Sequence, residues 1–195
     1  MKIKTLHLLA TLLFLPGIAS IGCSDSQPEP EPAPAPRIEN SDLGIAIAAV
    51  PPPFFVGSND GPVLELRAPG EAGEATLFFE TTAEMSGGIN LVAEAEGMRE
   101  WFEQQPDGQY FGNLELGTPL GPAFTSRGSY ALDGVQVEEI RVFAIHPSSN
   151  RLLRLTYQYP PGEGKERLQQ LAEVLGEIEG IWEADQDAGS EAPDN

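Results

Sequence analysis

Two apolar runs in the C-terminal half constrain the fold most. Val135 to Ile145 (VQVEEIRVFAI) leads into Pro147-Ser148-Ser149-Asn150, and the chain returns as Arg151 to Tyr159 (RLLRLTYQY). β-Branched and aromatic residues fill both runs and a turn-forming cluster separates them, which predicts a β-hairpin. In the return strand Leu153, Leu155, Tyr157 and Tyr159 share one face, and Leu152, Arg154, Thr156 and Gln158 share the other. Val142 to Ile145 is apolar at every position, so this strand is expected to be central and covered on both sides.

Shorter strands are expected upstream. GIAIAAV (44–50) is stopped by three prolines, Phe54-Phe55-Val56 follows, VLELR (63–67) alternates, and ATLFFE (75–80) is entered through Gly70 and Gly73. Two segments read as helices. In 91–105, Leu91, Ala95, Met98, Trp101 and Phe102 form one stripe, Asn90 is the N-cap and Pro106-Asp107-Gly108 the stop. In 164–181, Leu168, Leu171, Leu175 and Ile178 recur at helical spacing and continue to Trp182, with Gly176 marking a weak point or a close approach to the sheet. Strands, helix, strands, hairpin and terminal helix predict an α+β fold, an antiparallel sheet with helices packed on it.

The opening strand ending in proline, the pair VLELRAPGEAGEATLFFE and the closing unit from VEEIRVFAI to GEIEGI resemble the PsbP-like family. The resemblance covers about 140 residues by element order and patterning. It implies a layered sandwich, an antiparallel sheet between helices, and a non-enzymatic assembly or binding role. It carries over no site residue.

The chain starts with a different kind of segment. MKIKTLHLLATLLFLPGIASIG (1–22) has a basic start, an apolar stretch and small residues at its end, the pattern of a secretory signal peptide. Ser20-Ile21-Gly22-Cys23 then resembles the lipobox of bacterial lipoproteins, with Ser20 where the commonest pattern has Leu. The resemblance implies cleavage before Cys23 and a diacylglycerol on its thiol. An ordinary signal cut at the same place is the alternative, but it leaves the chain's one cysteine without a partner in an oxidising compartment. Ser24 after the cysteine implies sorting to the outer membrane, facing the periplasm, if the cell is Gram-negative. Residues 23–42 alternate proline with glutamate and alanine and are expected to be a tether with nothing to bury. The single domain is expected over 43–182, and an acidic tail over 183–195.

Charge and composition exclude several functions. The chain has 30 acidic and 11 basic residues, and without Lys2 and Lys4 of the leader the balance is 30 to 9, a net of −21. Nucleic acid is not an expected partner, because phosphate backbones are held by clustered Lys and Arg. His146 is the one histidine outside the leader, so a triad or a zinc site lacks its residues, and His146 is expected at the sheet rim. No metal, cofactor or catalytic set is expected. Glu138 and Glu139 are adjacent on a strand and point to opposite faces, so they do not form a carboxylate pair. Arg141 and Arg154 are the candidate contact for an anion or a partner, with pairing to Glu138 or Glu139 as the alternative. The reading as a whole is a lipid-anchored cell-envelope protein with a non-catalytic binding or assembly domain and an envelope protein as partner. The alternatives are a small-molecule or lipid carrier, with a cavity between the sheet and the Trp101–Phe102 helix, and a carboxylate-based hydrolase.

Overall fold

The computed structural model describes residues 35–82, 88–147, 149 and 151–181, and it places the expected hairpin inside a seven-stranded antiparallel sheet. The hairpin strands are β8 (Val135–Ile145) and β9 (Leu152–Tyr159), paired from Glu138↔Tyr159 to Ile145↔Leu152. On one side of β9 follow β5 (Ala75–Thr81), β4 (Val63–Ala68) and β3 (Phe55–Asp60). On the other side of β8 follow β7 (Gly121–Leu132) and β6 (Gln109–Thr118). A second, three-stranded sheet joins β1 (Ile38–Asn40), β2 (Ile45–Ile47) and β10 (Ile178–Gly180). With helices α1 (Leu91–Gln104) and α2 (Gly164–Gly176) this is an α+β fold.

The two faces of the large sheet are covered differently. Leu64, Leu66, Leu77, Phe79, Ile140, Val142, Leu153, Leu155 and Tyr157 point to one face, where Leu171, Val174 and Leu175 of α2 and Ile45, Ile47 and Ile178 of the small sheet close over them. Each such side chain contributes about 1.5–3 kcal/mol on burial, so this layer holds most of the folding energy. On the opposite face α1 packs over β6, β7 and β8, with Leu91 and Ala95 against Phe143 and Leu152. The Asn90 side chain caps α1 by accepting from the Ala93 amide at 3.1 Å.

Four expectations change. The packed structure begins inside the stretch expected to be tether: Ile38 and Asn40 are buried, and the Asn40 side chain bonds Asn59, the Gly61 carbonyl and the Leu43 amide. A short polar side chain that holds a turn gives no apolar period, so the pattern missed it. The second helix ends at Gly176 rather than 181, and the chain turns into β10, where Ile178 pairs with Ile47 of β2. Gly176 has open space around it, and the close approach belongs to Gly180, where a Cβ would lie 2.9 Å from Pro147. Strands β6 and β7, the longest paired unit outside the expected hairpin, were not foreseen. The leader, Cys23, Trp182 and the acidic tail lie outside the described residues.

Candidate ligand site on the open half of the sheet

Because α1 covers β6 to β8 and reaches only the Leu152 end of β9, it divides the face beneath it into a covered and an open half. Under the helix, Phe102 is 0% exposed and packs among Trp101, Tyr110 and Tyr130 with ring centroids 5.1–6.4 Å apart. Gly128 admits it, since a Cβ there would lie 2.5 Å from the Phe102 ring. The space between helix and sheet is thus filled by aromatic rings, and the cavity expected of a carrier at Trp101 and Phe102 is closed by them.

Arg141 stands at the boundary. Its guanidinium lies over the Trp101 ring, 3.8 Å from the centroid, and its Nη1 is 3.5 Å from Met98 Sδ. Such stacking holds a planar cation in one orientation. Its Nε donates to Glu139 Oε1 at 2.5 Å. The carboxylate of Glu139 is 0% exposed and saturated: the Tyr130 hydroxyl donates to Oε2 at 2.7 Å and Gln158 Nε2 donates to the same oxygen at 2.9 Å. Burial first, then the bond to Glu139, push the Tyr130 hydroxyl well above the usual tyrosine range.

Beyond Arg141 no described layer lies over the sheet. The register sets three ranks of side chains across β5, β9 and β8: Thr76, Gln158 and Glu139; Phe78, Thr156 and Arg141; Glu80, Arg154 and Phe143. Arg154 donates from Nε and Nη2 to Glu80 Oε2 at 2.9 and 2.8 Å. Phe78, Glu80, Arg141, Arg154 and Thr156 line a hollow of about 280 Å³. A second hollow of about 360 Å³ begins at Thr76 and Gln158 and runs to Val135, Val137 and Pro160. Both are shallow grooves at the lower end of ligand-site volumes.

The two arginines singled out in the sequence are therefore brought together, on one face, as neighbours across β8 and β9. Each has its own carboxylate: Arg141 takes Glu139, and Arg154 takes Glu80, a partner from β5 that hairpin reasoning did not include. Phe78 and Thr156 complete the hollow, and only the order of the strands, β5 beside β9, could have placed Phe78 there. Among the described residues, Arg141 Nη2 and Arg154 Nη1 are left without a protein partner. Glu138 is on the other face from Glu139 and accepts from the Gly162 amide at 3.0 Å.

Two other polar centres are structural. A hollow of about 510 Å³ lies beside Gly70, Glu163 and Arg167. There the Arg167 side chain is 1% exposed and spent within α2 on Glu163 at 2.6 Å and Gln170 at 2.9 Å, while Glu163 Oε1 accepts from the Ala72 amide at 3.3 Å and ties the helix to the β4–β5 loop. His146, expected at the rim, is buried: its Nε2 lies 2.5 Å from the Leu43 carbonyl and its Nδ1 3.0 Å from Ser149 Oγ. Burial lowers its pKa.

No protein-family model matches the sequence, and no curated protein matches it. Among solved structures the chain is similar to LpqN, a protein involved in cell envelope biogenesis of Mycobacterium tuberculosis, at 17% identity and TM-score 0.51, over 69% of this chain and 81% of that one. It is also similar to PA94 from Pseudomonas aeruginosa, a protein of unknown function, at 14% identity and TM-score 0.45, over 62% of this chain and 92% of that one. At such identity the first likeness is one of fold, the α+β sheet-and-helix architecture, and the second is too loose to argue from.

Proposed function

We propose that the chain is a lipid-anchored cell-envelope protein whose α+β domain binds a partner without catalysing a reaction. The observation that carries the binding role is the open half-face: ranks of Thr, Gln, Arg, Glu and one Phe on ordered strands, with no described layer above them. A polar face can simply be solvated in an antiparallel sheet; here it also leaves ordered donors and acceptors, unpaired among the described residues, within reach of a ligand. The anchor rests on Cys23 and its lipobox, since two acyl chains hold a protein stably where one does not. The envelope setting draws also on the fold shared with LpqN, whose own role is in envelope biogenesis. A PsbP-like sandwich, an envelope protein as the partner and an outer-membrane position facing the periplasm are the finer parts of the same proposal. Its non-catalytic part is supported by Glu139, which three donors saturate, and by the separation of Glu138 from it.

The test uses the tagged full chain in cells fed a clickable palmitate analogue, beside Cys23→Ala. A photo-crosslinking residue replaces Thr156 in one version and the exposed Glu173 of α2 in another. The expected result is label on the wild type only, and a discrete envelope protein captured from position 156 and not from 173. Label on both versions sinks the anchor, and equal capture from both positions sinks the binding face.

A further inference from the structure

We propose that the hollow bounded by Phe78, Glu80, Arg141, Arg154 and Thr156 binds an uncharged saccharide unit. This names the ligand class for the face described above and rests on that reading.

The first argument is charge. Two arginines suggest an anion, but each guanidinium is already neutralised by its own carboxylate, Glu139 or Glu80. An anion entering the hollow would therefore meet a locally neutral pair of ion pairs. It would also approach a chain whose formal net charge is −19. Long-range repulsion lowers the local concentration of anions and disfavours them.

The second argument is the pattern of donors and acceptors. Arg141 Nη2 and Arg154 Nη1 offer N–H groups without a protein partner among the described residues. Glu80, whose side chain is 52% exposed, offers a carboxylate oxygen that accepts. Thr156 does both. A ligand that satisfies all of them must donate and accept at neighbouring atoms, which vicinal hydroxyls do and an ionised carboxylate does not. The third argument is Phe78, a half-buried ring in the floor of an otherwise polar hollow. An aromatic face beside charged, planar side chains suits a pyranose, whose ring carries apolar C–H groups on one side and hydroxyls around its edge. A volume of about 280 Å³ suits one such ring.

Arg141 is set for this by its surroundings. Stacking on Trp101 and the buried Glu139 fix its plane before any ligand arrives, so little side-chain entropy is lost on binding.

The experiment titrates the full chain, in a sugar-free zwitterionic detergent, with maltose, cellobiose and chitobiose. Glucuronate and inorganic phosphate serve as anionic counterparts. The readout is the NMR resonances of the Arg154 Nε–H and the Thr156 amide. At least one neutral disaccharide is expected to shift both, with a Kd on the order of 1 mM. Its affinity should not change with ionic strength, because no net charge is transferred. Phe78→Ala and Thr156→Val are each expected to weaken it at least about 10-fold. Glu80→Gln is the deciding variant. It removes an acceptor charge from the hollow, so a saccharide binds more weakly to it, whereas an anion binds more tightly. Tighter binding of a neutral disaccharide to Glu80→Gln than to the wild type overturns the proposal, as does tighter binding of glucuronate or phosphate than of every neutral disaccharide to the wild type. So does the absence of any shift with the neutral disaccharides up to about 20 mM. A partner captured at position 156 with no saccharide bound leaves the envelope reading standing and sinks this one; loss of palmitate label does the reverse.

Discussion

The covered and open halves of one sheet face are built on neighbouring strands with the same two-residue alternation, yet they differ in what lies over them and in what they carry. Under α1 the outward positions meet Phe102, Trp101 and Met98, and each buried polar group in the Glu139 network has its partner. On β9 and β5 the same positions carry Arg154, Thr156, Thr76 and Glu80, with exposed ion pairs. The boundary passes through Arg141, whose side chain is 17% exposed and belongs to both halves. The difference teaches that stability on this face is concentrated where the helix lies. The rest of the face is free to be chosen by what it binds.

The largest expected effect tests that division directly. Phe102→Ala removes a fully buried ring from a site closed by Gly128 and Tyr130, and is expected to destabilise the fold by about 3–5 kcal/mol. Phe78→Ala, on the open half, is expected to lower stability by about 1 kcal/mol or less, because its ring is already partly in water. Chemical denaturation of both variants measures the contrast, and equal losses would remove it. Next in size is Glu139→Ala, expected to lower stability by about 3 kcal/mol by leaving Arg141 and the Tyr130 hydroxyl unpaired beneath the helix. Glu80→Ala, which breaks the matching pair in the open, is expected to stay within about 1 kcal/mol in the same assay.

Which half could be read from the sequence follows from the same contrast. Apolar alternation announced the strands that feed the fully covered face, so VLELR, ATLFFE and the β8–β9 hairpin were legible, as was α1 with its cap at Asn90. Strands β6 and β7 were not, because QYFGNLELGT and GPAFTSRGSYAL carry Gly, Ser, Thr and Asn where the pattern looks for Val and Ile. One signal for them was available. Asp133-Gly134 joins β7 to β8 with φ of 51° and 80° at its two residues, the backbone that an Asp-Gly hairpin turn demands. The end of α2 was misread because Ile178 keeps the helical spacing by chance while it pairs with β2. Of the site, Arg141 and Arg154 were legible from the hairpin alone. Glu80 lies 74 residues before Arg154, on the strand that also carries Phe78, and no local pattern connects them.

A pH experiment sharpens the comparison further. Tyr130 lies in the covered half and is held protonated by burial and by Glu139. A tyrosine whose folded pKa is raised gives stability that is present below its unfolded value, near 10, and lost as pH rises above it. Stability is therefore expected to fall above about pH 10, and Tyr130→Phe is expected to flatten that slope. Tyr157 and Tyr159, also raised by burial, keep part of the slope in the variant. His146 acts at the other end. Its lowered pKa means that stability is complete above about 6.5 and declines as pH falls through that value, and denaturation of His146→Gln around pH 5 measures the share it supplies.

The smallest effect is the most informative about the open half. Arg154 and Glu80 are 36% and 52% exposed, so water already solvates both charges and salt screens their attraction. A double-mutant cycle of Arg154→Ala and Glu80→Ala is expected to give a coupling of about 0.2–1 kcal/mol, shrinking as ionic strength rises. The corresponding cycle for Arg141 and Glu139 should be several times larger and nearly insensitive to salt, because Glu139 is out of water and Trp101 shields the guanidinium. One pair lies within β8 and the other bridges β9 and β5, and the two cycles then measure a covered pair against an open one. If the Arg154 cycle proved as large and as salt-resistant as the other, something outside the described residues would have to cover it, and the open half could not be the binding face.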